Sequence, residues 1–187
     1  MMFKYEFHEE RSENLILDHF SPAVQQVLKE YRGATFESGL YRVFSVDEVS
    51  VYSKYICQYY PQYDGAEAFA VDWMGSLLIT DPKSNSGGCL LVEAGTSNTI
   101  RIPYSPLDFI TSVAFEHHEE IFGSDLFYLW LRSSGESFVP HKKCIGFIKP
   151  MFLSGEYKVE NLEVSDLSVY LEICGQLKQQ LLDSGRV

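Results

Sequence analysis

The sequence predicts an α+β fold, a central and mainly antiparallel sheet with helices packed on it in a single compact body. Three observations carry that prediction. Strand-like apolar runs cluster in the middle of the chain around turns short enough for hairpins. Helical periodicity lies before and after them, without strict strand–helix alternation. The 187 residues are 45% hydrophobic and 14% aromatic, enough for one core that buries roughly 70% of the unfolded surface.

Residues 1–14 are charged and mixed; mobility and pairing as an edge strand are both open to them. Ser21-Pro22 opens the first clear helix, because serine caps free amides and proline suits the first turn. Val24, Val27, Leu28 and Tyr31 then recur on one helical face, and Gly33 ends the helix. Residues 39–44 read as a short strand. Ser45-x-x-Glu48 is a capping box; it starts a second helix with Val49, Tyr52, Ile56 and Tyr59 inward, and Pro61 stops it. The run Tyr59-Tyr60-Pro61-Gln62-Tyr63 reads as half core and half rim.

Residues 66–73 and 76–80 read as strands of a hairpin around Met74-Gly75. A polar, Gly-rich loop, 81–88, follows, then strands at 89–93 and 99–102. Ser105-Pro106 opens a helix running to about His118, and Ser124 caps another that Gly135 ends. Residues 144–148 read as a strand broken by Pro150, and 159–163 as a further one. Ser165-Asp166 caps a last helix with Leu167, Tyr170, Leu171, Cys174 and Leu177 as its apolar stripe.

The charge limits the partners. A net charge of −11 and a pI of about 4.8 disfavour phosphate backbones and anionic membranes. They suit solubility, and they suit a basic partner whose approach complementary fields would speed by about 10 to 1,000-fold. No apolar run approaches a membrane span and no signal-type leader is visible, so the cytoplasm is expected. The four cysteines include no C-x-x-C pair, which points to buried free thiols.

Chemistry-bearing clusters read as structure. Glu116-His117-His118-Glu119-Glu120 lacks the H-E-x-x-H metal pattern and reads as a charged helix end facing water. Gly87-Gly88 is a turn rather than a phosphate loop. His141 and Cys144 are close in sequence, but Cys144 begins an apolar strand, where a thiol is inert. No catalytic residue, metal or cofactor is expected. Asp72 interrupts an apolar run, and a buried carboxylate needs hydrogen bonds or a counter-charge; bracing the Met74-Gly75 turn and facing a pocket or partner are both open. Asn161, Glu163 and Asp166 precede a helix, where such side chains satisfy backbone amides.

The order Cys144-Ile-Gly-Phe-Ile-Lys-Pro150, Met-Phe-Leu-Ser-Gly155, Asn161-Leu-Glu-Val-Ser-Asp166, Val169-Tyr170 and Gly175-Gln-Leu177 resembles the C-terminal domain of type VI secretion DNase-immunity proteins. Upstream, Tyr31-Arg-Gly33, Gly39-Leu-Tyr41 and residues 69–75 (FAVDWMG) resemble the GAD-like domain that precedes it. The family commonly has Leu-Gly-Gly where this chain has Leu153-Ser154-Gly155, and often a Trp where it has Leu171. The resemblance implies an N-terminal segment 1–14, a GAD-like segment 15–110 and an immunity-type segment 111–187 sharing one core. It implies a non-enzymatic cytosolic protein that neutralises a toxin, a basic nuclease being the expected partner, with no direct nucleic-acid or membrane contact. Asp72, Trp73, Asp81, Glu163 and Asp166 are the candidate contact residues. The competing reading is a ligand-binding module with a pocket near Trp73, Trp130 and Tyr170.

Overall fold

The computed structural model describes residues 3–7, 16–85 and 87–185. Its centre is a seven-stranded antiparallel meander in chain order: β1 (Tyr5–Phe7), β2 (Ala34–Phe36), β3 (Tyr41–Val43), β4 (Ala68–Asp72), β5 (Leu77–Thr80), β6 (Cys89–Val92) and β7 (Thr99–Ile102). Strands β4 to β6 are almost wholly buried, whereas β1 and most of β7 are exposed. This explains the continuous apolar runs AFAV, LLI and CLLV, since a strand covered on both faces has no solvent side on which to alternate. The expected α+β architecture is therefore present, and β1 is the edge strand that was one option for residues 1–14.

Helix α1 (Pro22–Tyr31) begins on the Ser21 cap and buries Val24, Val27, Leu28 and Tyr31. Gly33 adopts φ +70° and donates its N–H to Val43 O, turning the chain into β2. Helix α2 (Val46–Tyr59) starts on the full capping box of Ser45 and Glu48. The Met74-Gly75 hairpin between β4 and β5 forms as the sequence predicts, with Gly75 at φ +81°. The strand expected at 39–44 is shorter and has a partner, β2, that its three residues were too few to announce.

The segment after β7 departs from the expected single helix. A turn, α3 (Pro106–Asp108), widens into a π-helical stretch at Phe109–Val113; α4 (Ala114–Glu116) then breaks at His117, and α5 (His118–Phe122) resumes. The wider turn lets Phe109, Ile110 and Val113 all point inward. The buried Tyr41 hydroxyl donates to Ile110 O at 3.2 Å, so a side chain from β3 reaches into the loosened ladder. The start of α6 (Ser124–Ser134) also differs. Gly123, at φ +59°, is its N-cap, and the capping oxygen belongs to Glu119, which accepts from Asp125 N at 2.7 Å and Ser124 Oγ at 2.8 Å.

A second sheet pairs β8 (Lys143–Phe147) with β9 (Leu162–Asp166). The expected strand at 159–163 thus starts later, after a 3-10 turn at Val159–Asn161. Ile145 N donates to Trp73 O at 2.7 Å, and Trp73 N donates to Leu40 O at 2.9 Å, so Trp73 joins the two sheets. Helix α7 (Leu167–Asp183) closes this layer. Tyr170 is its wedge: a Cβ added at Gly146 would lie 2.5 Å from the Tyr170 ring, and one at Gly95 would lie 2.6 Å from its hydroxyl. The Tyr59 ring packs in the same way on Gly175.

The loop between β8 and β9 is tied by Asn161, whose amide accepts from Lys149 N and donates to Lys149 O and Glu156 O, all at 2.9 Å. Ser154 sits there at φ +64°, a region that favours glycine. Ser154→Gly is expected to stabilise the protein by up to about 1 kcal/mol, read as a shifted urea midpoint at unchanged slope; a loss of stability would contradict the assigned backbone conformation.

Candidate functional site

The structure divides the five candidate contact residues. Trp73 is fully buried: its indole packs on Phe127 and donates to Phe122 O at 2.7 Å. Asp72 and Asp81 are also buried, at 3% and 6% exposure. Asp81 braces its own loop, accepting from Lys83 N at 2.9 Å and pairing with Arg101 at 2.9 Å. These three are corrected from surface contacts to interior groups: the apolar run that ends at Asp72-Trp73 belongs to a central, covered strand, and Asp81 is folded into its loop beneath Arg101. Trp73, Trp130 and Tyr170, around which the competing reading placed a pocket, are all buried, with Trp73 packed on Phe127 and Tyr170 on Gly75 and Gly146.

Glu163 and Asp166 lie together on β9. Asp166 is the N-cap of α7: its Oδ1 accepts from Ser168 Oγ at 2.7 Å, Ser168 N at 3.1 Å and Val169 N at 3.4 Å. The Ser168 hydroxyl holds its carboxyl below the usual range. Its other oxygen is 3.7 Å from Lys143 Nζ. Glu163 is exposed.

Around these two acids runs a corner that no hydropathy pattern marked. Val164, Val169 and Ile173 are 47%, 54% and 51% exposed. Ile145 directs its N–H to Trp73, so Ile145 and Val164 form the non-hydrogen-bonded kind of antiparallel pair. The N–H and C=O of Val164 therefore face out along the far edge of β9, which pairs with no strand among the described residues. The open edge, Val164 and Asp166 on one face of β9 and Val169 and Ile173 at the start of α7 make a candidate docking surface, with Glu163 on the opposite face of the strand.

A second feature lies under the hairpin. A cavity of about 40 Å³ is bounded by Asp72, Ser76, Glu93, Thr96, Phe147 and Tyr157. Asp72 Oδ1 accepts from Met74 N at 2.9 Å and Ser76 N at 2.8 Å, so the turn-bracing option is realised. The Ser76 side chain also hydrogen-bonds this carboxyl, which lines the cavity. Burial pushes the Asp72 carboxyl up to about 7, against the lowering effect of those hydrogen bonds.

The remaining clusters have structural duties. His117 pairs with Glu120 at 3.3 Å, and His118 Nδ1 lies 2.6 Å from the buried Ser124 hydroxyl, which donates to Glu119. The expected charged helix end is thus partly a cap for α6. His141 Nε2 faces Glu48 at 3.6 Å. Cys144 is buried, and burial pushes its thiol well above the usual range. All four cysteines are free, Cys57 being exposed and the others buried. Among the described residues no group of three or more His, Cys, Asp or Glu could hold a metal ion, and no helix is long and apolar enough to cross a membrane. Arg42 is buried in β3; its Nη2 donates to Lys143 O at 2.6 Å, while Nη1 has no hydrogen-bond partner.

These features define an α+β protein built on an antiparallel meander, with a small second sheet whose outer edge is open. No family model and no curated protein matches the chain. Its fold is similar to that in the crystal structure of Atu4351 from Agrobacterium tumefaciens, with a TM-score of 0.53 and 10% identity, covering 76% of this chain and 69% of that one. At that identity the likeness is one of fold alone.

Proposed function

We propose that this chain is an immunity-type protein of the bacterial cytoplasm, a non-enzymatic binder that neutralises a basic nuclease effector of a type VI secretion system. The observation that carries the reading is the β9–α7 corner, where Glu163 and Val164 on the strand and Val169 and Ile173 on the helix are exposed beside the Asp166 cap and an open strand edge. The residue-order resemblance of the 144–177 segment supports it, as does an excess of 26 acidic over 15 basic residues. The acidic surface would enter the positive cleft that otherwise holds a phosphate backbone. Charge would raise the on-rate, and the exposed apolar side chains, once buried against the partner, would slow the off-rate.

The test is co-expression with a type VI nuclease effector encoded by a neighbouring gene, where one is found, or otherwise with a panel of such effectors, followed by gel filtration of the pair. Protection and a co-eluting complex are expected. Ile173→Arg and Glu163→Lys should leave stability within about 0.5 kcal/mol and weaken the complex by roughly 30-fold or more, the loss typical of an interface hot spot. Persistent toxicity with no complex refutes the reading; a complex that both variants leave intact removes the corner from it.

A further inference from the structure

The cavity beside Asp72 has a composition that the docking surface does not explain. Its polar wall holds two carboxylates, Asp72 and Glu93, with the hydroxyls of Ser76, Thr96 and Tyr157. Its apolar wall is Met74, Ile121 and Phe147. Glu93 accepts the Thr96 hydroxyl, and the two backbone amides on Asp72 both use Oδ1. Oxygen acceptors therefore converge on the space in excess of donors. Arg42 is the nearby cation, but its guanidinium donates to Lys143 O instead. Tyr157, on the cavity wall, is half-exposed. Its hydroxyl packs so close to Gly123 that a Cβ there would lie 2.3 Å away.

About 40 Å³ accommodates one or a few water-sized groups. A primary ammonium is of that size and has three donors and no acceptor, which complements a wall of acceptors. Two carboxylates with hydroxyls also fit it better than a divalent ion, which takes six or more oxygen ligands. Apolar residues flanking a polar end are what the methylene stem of a lysine covers. We propose that the cavity binds a primary ammonium group, and that in the complex this group is a lysine side chain of the basic partner. The lysine as source rests on the function proposed above; the ammonium pocket does not.

The titratable and charged groups around Asp72 are Glu93, Tyr157, Arg42 and Cys144, with Glu119 beyond Tyr157. A proton and an ammonium compete for the same carboxylate, so binding strengthens as the pH rises through about 7.

The experiment is a titration of the purified protein at pH 8 with methylammonium chloride, followed by thermal shift and by backbone amide NMR. Tetramethylammonium chloride and magnesium chloride at equal ionic strength are the controls. Methylammonium is expected to raise the melting temperature by a few degrees and to move the Met74, Ser76 and Gly95 amides, with a smaller effect at pH 6. Asp72→Asn and Glu93→Gln, each checked for a native circular dichroism spectrum, should abolish the response; if Asp72→Asn does not fold, Glu93→Gln alone decides. Equal responses to all three salts, a larger response to magnesium, or an undiminished response in Glu93→Gln would overturn the pocket. A blocked Gly-Lys-Gly peptide that reproduces the amide shifts, where Gly-Arg-Gly does not, supports a protein lysine. Methylammonium binding with the lysine peptide excluded overturns that source and assigns a free amine. Protection from the toxin that survives Glu93→Gln would remove the partner's lysine while leaving the immunity reading standing.

Discussion

Tyr170→Ala is expected to lower the free energy of unfolding by about 3 to 5 kcal/mol, the range for removing a large aromatic ring from a packed core. The ring is 5% exposed and lies against Gly75, Gly95 and Gly146, while its hydroxyl accepts from Phe147 N at 3.3 Å. It therefore fastens α7 to β8 and to the turn of the β4–β5 hairpin at once. Tyr170→Phe separates the two contributions: it keeps the packing and leaves the Phe147 amide without a partner, at a cost of about 1 to 3 kcal/mol. Gly146→Ala attacks the same contact from the other side. Its methyl would overlap the ring, with an expected loss of about 1 to 3 kcal/mol. In the double variant the methyl occupies space the ring has vacated, so the two losses should fall short of additive by at least 0.5 kcal/mol or so. Urea denaturation of the wild type and these four variants measures all of this. A loss below about 1 kcal/mol for Tyr170→Ala, or strict additivity, would show that α7 is fastened elsewhere.

The pH dependence of stability should carry the mark of Asp72. Its carboxyl titrates near 7 in the folded protein against an ordinary value of 3.8. Between those limits the folded state holds a proton that the unfolded state has lost, so stability falls as the pH rises from about 4 to about 7 and is flat on either side. A shift of this size corresponds to about 4 kcal/mol at most. In Asp72→Asn the amide oxygen still accepts from Met74 and Ser76, but nothing titrates. The stability of the wild type relative to Asp72→Asn should therefore decline by up to about 4 kcal/mol across that window, measured by denaturant titrations at pH 4, 5.5, 7 and 8. A difference that stays constant with pH would mean the carboxylate is better solvated or better paired than its burial implies. A primary ammonium held beside Asp72 would reduce the decline, which links this measurement to the proposed pocket.

Much of the fold was legible in the chain because its signals are local. Ser21-Pro22, the Ser45–Glu48 box and Asp166 start their helices where expected. Met74-Gly75 makes the hairpin, and Gly33 and Gly135 end helices in left-handed conformations. Strand β2 escaped notice, and β1 was only one of two options for its segment, because three residues show no period. The π-helical stretch escaped because its inward spacing is set by what it packs on, including the Tyr41 hydroxyl on Ile110 O. At α6 the sequence pointed to Ser124, but the capping oxygen comes from Glu119, one turn earlier across the bend at Gly123.

The candidate sites were less legible. Asp72, Trp73 and Asp81 looked available as polar and aromatic residues in a mixed stretch. Only the elements packed on the meander, α1 and α2 against β4 and Phe122 and Phe127 against Trp73, with Arg101 paired to Asp81, put them inside. The corner at Val164, Val169 and Ile173 had the opposite fate. Its residues are ordinary members of a strand and a helix, and their exposure depends on which edge of β9 stays unpaired and which face of α7 meets Tyr170's glycines. The sequence by itself determined the class of fold, the caps and turns, and the acidic charge, because each depends on a residue and its near neighbours or on composition alone. Tertiary structure decided burial, the open edge and the Asp72 cavity, because each depends on which distant segment arrives to cover a group, as Trp73 and Ile145 do in joining the two sheets.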